Sequence, residues 1–191
     1  VSLEHCAALV AAGDPGRWAT VLAAPAAARP VLVALYALNL EIARAPWASG
    51  EPLVAEMRLQ WWRDRLAEIG AGRPTPGHPV LAAAAPLIDP AAASILDALA
   101  AARRWDIWRE PFADAAALVA HLDATAGGLM WLAARALGAP AAAEDVVRDA
   151  AAGQGMAAWL VAVPGLAARG RRPLPDPAPA AVAALARAAA A

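Results

Sequence analysis

The chain has 191 residues, 61% of them apolar, and a formal net charge of −1. That length suits one domain with a sizeable core, and the near-neutral balance gives no electrostatic case for a nucleic-acid binder. The single cysteine, Cys6, excludes an intrachain disulfide and a cysteine-based zinc site.

The apolar excess is mostly alanine, the best helix former and a residue that buries little area. The eight Trp and the scattered Leu must then supply much of the core volume. All 16 basic residues are Arg. GC-rich coding is the plain reading of that bias, and bidentate phosphate binding the functional one. The lone cysteine fits a reducing cytoplasm. The first residues carry Glu4 and His5 and lack the basic start of a signal peptide.

Asp14-Pro15 places a capping side chain before a proline suited to a first helical turn, so a helix is predicted from there to about Ala24. Pro25 and Pro30 bracket the next start. Val31, Leu32, Leu35, Leu38 and Ile42 recur at helical spacing, and Pro46 should kink or end that helix. Ser49-Gly50-Glu51-Pro52 opens another, running to about Ile69, with Val54, Met57, Trp61, Trp62, Leu66 and Ile69 as its apolar face. A Gly/Pro loop spans Gly70 to Pro79. A short helix follows from about Val80 to Leu87. Asp89-Pro90 opens one predicted to reach Trp108, before Pro111.

Asp114 caps a long predicted helix through Leu137, with Leu118, Leu122, Leu129 and Leu132 as its inner row and Gly138 as its stop. The next runs from about Ala141 to Val163 and should stop at Pro164-Gly165. The uncharged run Ala150–Ala168 approaches the length of a membrane span. Its glycines, Gln154 and Pro164 favour a buried helix of a soluble protein, with peripheral membrane contact left open. A loop from Arg169 to Pro179 precedes a last helix from about Ala180 to Ala191. No strand-period alternation of useful length occurs. The expected fold is all-α: one helical bundle of about eight helices over residues 1–191.

Four segments carry a resemblance. They are Leu35-Tyr36-Ala37-Leu38-Asn39, then Leu59 to Leu66 with His78-Pro79-Val80, then His121 to Gly127, and last Arg169-Gly170-Arg171 with Pro173-Leu174-Pro175. In order and spacing they resemble the squalene/phytoene synthase family, which has the isoprenoid synthase fold. Leu59 to Leu66 with His78-Pro79-Val80 is similar to its W-R-x-x-L…H-P-V signature. Arg169 to Pro175 is similar to its R-G-R-x-Y-L-P stretch, one residue out of step. The family fold normally continues with further helices, so the resemblance implies a C-terminally short version or an incomplete chain.

The family's chemistry rests on two D-x-x-x-D motifs. Carboxylates at i and i+4 project from one helical face. Two such helices hold Mg²⁺, which grips a prenyl diphosphate and neutralises the leaving group. Aligned from Tyr36-Ala37-Leu38, the first motif falls on Ala43 and Trp47. Counted back from Arg169-Gly170-Arg171, the other falls on Ala162 and Leu166. None of these four residues can bind a metal. Tyr36-Ala37-Leu38-Asn39-Leu40-Glu41 and Arg58-Leu59-Gln60-Trp61-Trp62 are more similar to a divergent branch that includes a mitochondrial complex I assembly factor and its bacterial relatives.

Several residues carry two readings. Arg63 would face a diphosphate, or would simply pair with a carboxylate on a nearby helix. Trp61 and Trp62 point about 100° apart, so one is expected in the core. His78 is read as a turn residue. His121 and Asp123 face different ways and form no catalytic pair. Gly127-Gly128 inside a helix permits close helix packing or leaves room for a ligand. Arg169, Arg171 and Arg172 form a solvated loop cluster, or bind phosphate or acidic lipid headgroups.

The resemblance with its lost aspartates implies a catalytically degenerate protein without catalytic residues, metal or cofactor. It would bind an isoprenoid or lipid in a central cavity, or a protein partner. Tyr36, Arg63, Gly127 and Arg171 are its candidate substrate-binding residues. The expected cavity lies among Tyr36–Arg44, Trp61–Leu66, Thr125–Leu132 and Trp159–Val163. The alternative is an active head-to-head prenyltransferase in which Glu41, Glu56, Asp64 and Asp123 bind Mg²⁺. The expected location is cytoplasmic, with membrane association left open.

Overall fold

The computed structural model describes residues 2–74 and 77–189, so positions 75 and 76 of the predicted Gly/Pro loop and the end of the last predicted helix lie outside the described residues. Among the described residues every regular element is helical: α1 (Ser2–Gly13), α2 (Pro15–Ala23), α3 (Arg29–Arg44), α4 (Pro52–Gly70), α5 (Pro79–Ala84), α6 (Pro90–Ala102), α7 (Trp105–Trp108), α8 (Ala115–Leu122), α9 (Gly128–Ala136), α10 (Glu144–Ala168) and α11 (Pro179–Ala188). The all-α expectation holds.

The start signals work as their chemistry requires. The carboxylates of Asp14, Asp89 and Asp114 accept hydrogen bonds from the backbone N–H of Arg17, Ala92 and Ala117. Each satisfies a donor that the first helical turn leaves unpaired. Helix α3 is the centre of the bundle and buries Leu32, Leu35, Leu38 and Ile42. Helices α1, α2, α5 and α9 pack on it, and α4 packs along α6. The main core joins α1, α3, α4, α5, α6 and α9. A smaller one gathers Phe112, Leu118, Leu122, Met156 and Leu185.

Helix α1 is an addition to the predicted elements. Its sequence signal is slight: Cys6 and Val10, one turn apart, are its fully buried residues. The apolar face of α4 also differs from expectation. Ala55, Leu59, Trp62, Leu66 and Ile69 face inward, while Val54, Met57 and Trp61 are exposed. Alanine at position 55 lets α4 approach its neighbours, and the buried stripe turns toward it.

Three further differences shape the interior. The helix predicted from Asp89 to Trp108 breaks after Ala102, where Arg103 and Arg104 close tight i→i−3 turns. The helix predicted from Asp114 to Leu137 is continuous but carries a π-turn over Asp123–Gly127. Helix α10 passes through Pro164 instead of stopping there. Proline removes one hydrogen bond from a helix interior. Here the affected stretch is largely solvent-exposed, Val161 being 83% exposed, so water can take the freed carbonyl. For the same reason α10 is not the buried helix expected. It buries only Ala151, Gly155 and Met156. By length and composition, 115–136 and 141–168 would suit a membrane span; 50% of the first window and 17% of the second are buried in the fold.

Candidate functional site

Between the two cores lies a cavity of about 560 Å³, walled by α2, α3, the α6–α7 break, the α8–α9 helix and α10. Tyr36, Asn39, Ala43 and Trp47 enter from α3 and the turn after it. Thr125, Ala126, Leu129 and Met130 come from the π-turn and α9. Gly155, Trp159, Ala162 and Leu166 come from α10. The positions aligned with the family's two metal motifs, Ala43, Trp47, Ala162 and Leu166, thus all line this one space. Two stretches more than a hundred residues apart in sequence meet there, as the alignment requires.

The π-turn explains part of the shape. Its wider coil is backed by the Thr125 hydroxyl, which donates to the His121 carbonyl at 2.7 Å, and π-turns inside α-helices are frequent at functional sites. Opposite it, a Cβ on Gly155 would lie 2.9 Å from the Ala126 Cβ. Gly155 therefore allows α10 to close on the π-turn. The sequence pattern points to Gly127 and Gly128 for this role. Neither lines the cavity: Gly127 faces Asp123 and Arg148, while Gly128 meets the close-packing half of the expectation, a Cβ there lying 3.0 Å from the Ile95 side chain of α6.

The charged part of the wall is mostly cationic, with Arg17 paired to Asp14 just outside it. Among the described residues, Arg17, Arg103 and Arg169 line it against a single carboxylate, Asp106. Arg103 and Asp106 make only a long pair at 3.7 Å. Arg103 Nε and Asp106 Oδ2 are buried with no hydrogen-bond partner among the described residues. Burial lowers the Arg103 pKa and raises that of Asp106, since removal from water disfavours either charged form. His121, also on the wall, is buried against Trp105, Phe112 and Trp159. Desolvation and then the Arg103 charge push its pKa to about 4, leaving it neutral near pH 7.

Residues 10–182 match the family model described as squalene/phytoene synthase. The chain belongs to the squalene/phytoene synthase family. No curated protein and no solved structure matches it. The stretch similar to the family's W-R-x-x-L…H-P-V signature, Leu59 to Leu66 with His78-Pro79-Val80, builds an aromatic cluster in this member. Trp61 and Trp62 meet edge to face at 5.0 Å between ring centres, and His78 lies 5.2 Å from Trp62 and 5.9 Å from Trp61. These rings tie α4 to the start of α5, away from the cavity.

The four candidate binding residues separate. Tyr36 lines the cavity. Arg63 does not: its Nε and Nη2 donate to the two carboxylate oxygens of Asp97 at 2.6 and 3.0 Å. Nor does any part of Trp61–Leu66 reach the cavity wall, because α4 packs on α6 on the far side of the core. Arg171 lines an adjoining cleft with Trp47, Arg109 and Arg169. The carboxylates of the alternative reading also lie elsewhere. Glu56 pairs with Arg104, Asp123 with Arg148 and Glu41 with Arg44, and Asp64 accepts from Gln60. Arg103 and Gly155 join the site without having been candidates. The only sequence signal for Arg103 is its place near the end of a predicted helix.

Proposed function

We propose that this squalene/phytoene synthase-like protein does not run the family's condensation and keeps the scaffold as an isoprenoid- or lipid-binding module. One observation carries the reading: the four positions aligned with metal ligands line one cavity as Ala43, Trp47, Ala162 and Leu166. A hard dication needs several oxygen ligands. The cavity offers one carboxylate against three arginines, a donor set that does not fit Mg²⁺. Glu41, Glu56, Asp64 and Asp123, the replacements an active enzyme would need, are absent from its wall. An apolar cavity of this size with a few polar groups is the usual form of a small-molecule site. The likeness to the divergent branch of the family agrees with this reading.

Native mass spectrometry of the purified protein tests it. A co-purifying isoprenoid or lipid, released by filling the cavity with Ala162→Trp, is the expected result. A protein that is ligand-free and binds neither farnesol nor farnesyl phosphate would contradict it and leave a protein-partner role.

A further inference from the structure

Helix α4 leaves an apolar stripe uncovered. Leu53 and Met57 are 72% and 71% exposed, and Val54 and Trp61 are exposed beside them. Four residues turn a helix through about 400°, so Leu53, Met57 and Trp61 follow one line along the surface. The buried residues of α4, Ala55, Leu59, Trp62 and Leu66, lie on the opposite side. Elsewhere among the described residues, exposed large apolar side chains occur one or two to a helix. Such scattered residues are ordinary, whereas a contiguous patch marks a contact surface. Trp, Met and Arg are the residues enriched at such surfaces, and Arg58 stands on the edge of this one.

The polar groups around the stripe are partnered within the chain, with two exceptions. Glu56 pairs with Arg104 at 2.7 Å, Arg65 with Glu68 at 2.6 Å, and Gln60 donates to Asp64 at 2.7 Å. Glu51 and Arg58 are exposed, and among the described residues neither side chain has a partner. They stand two turns apart on the same edge of α4, with about 10 Å of helix between them. When two helices pair antiparallel about a twofold axis, the same edge of each faces the other. An edge that carries one acid and one base then pairs with its own copy twice. With Leu53 opposite Met57 of the second copy, Arg58 comes opposite Pro52, beside Glu51. We infer that the Leu53–Met57–Trp61 stripe is the twofold interface of a homodimer, with Arg58 of each copy facing Glu51 of the other. None of these residues touches the cavity wall, so the dimer stands or falls apart from the cavity's ligand.

Sedimentation equilibrium of the purified protein between about 1 and 300 µM is the test, since a surface of this size suits a weak, micromolar dimer. A mass that rises toward twice that of the chain is expected. Met57→Glu places an unpaired charge in the apolar centre and should weaken the dimer at least about tenfold. Arg58→Glu and Glu51→Arg should each weaken it, and the two together should restore it. Val161→Glu, at an exposed position of α10, should change nothing. Thermal melts that match the parent establish that each variant folds. A chain that stays monomeric at every concentration would overturn the proposal, and so would a dimer that Met57→Glu leaves intact. Weakening by both single charge exchanges without recovery in the double would overturn the twofold pairing of Arg58 with Glu51.

Discussion

The guanidinium of Arg171 lies 4.6 Å from the centre of the Trp47 ring, and Trp47 is the position aligned with the second aspartate of the family's first metal motif. An indole beside a guanidinium stands at the position where the family's motif has a carboxylate. On the proposed reading such a wall would repel Mg²⁺ rather than gather it.

Trp62 is 6% exposed and Trp61 39% exposed. Trp62→Ala should therefore cost about 3–5 kcal/mol of stability. Trp61→Ala should cost about 1 kcal/mol, mostly the lost ring contacts. Thermal melts of the two variants compare them directly. Equal losses would contradict the assignment of Trp62 to the core.

Arg63→Ala should cost about 1 kcal/mol or less, because the Arg63–Asp97 pair is partly exposed and screened by water. It should leave binding of farnesyl phosphate unchanged, since Arg63 is not on the cavity wall. A large loss of affinity in a stably folded variant would return Arg63 to the binding site.

The pKa of His121 falls from an ordinary 6.5 to about 4 in the folded protein. Between those values the unfolded chain takes up a proton that the folded chain does not. Stability should be full above about pH 6.5 and fall as the pH drops toward 4. From about pH 7 to about pH 5 the His121 contribution is about 2 kcal/mol. His121→Phe keeps a ring against Trp105, Phe112 and Trp159 and should lose that part of the pH dependence. Urea melts at the two pH values measure it, and equal slopes in parent and variant would contradict the buried neutral imidazole.

Gly155→Ala should destabilise by about 1–3 kcal/mol, since its Cβ would press on Ala126. Gly165→Ala, on the same helix but with open space around it, should stabilise by up to about 1 kcal/mol. Opposite signs are the expected outcome. Stabilisation by both would mean that α10 does not close on the π-turn.

Much of the fold is legible from caps and prolines. Asp14, Asp89 and Asp114 mark true helix starts because a carboxylate before a helix has one obvious use. The face of α4 is harder to read. Met57 and Trp61 are apolar yet exposed, and the buried Ala55 resembles any other alanine in an alanine-rich chain. The stop at Pro164 misleads because an exposed helix can solvate the broken bond, and exposure is a tertiary fact. The metal-motif positions are legible, since Ala43, Trp47, Ala162 and Leu166 do meet. The cationic wall is not. It depends on a helix break at Arg103, which has no local sequence rule.

The most direct test of the central claim pairs binding with turnover. The protein is titrated with farnesyl diphosphate in EDTA and again in Mg²⁺, and the Mg²⁺ sample is assayed for released diphosphate and for a joined hydrocarbon product. The account predicts binding that Mg²⁺ does not strengthen, with no diphosphate released and no product formed. Mg²⁺-dependent tightening accompanied by diphosphate release would contradict it and identify an active synthase.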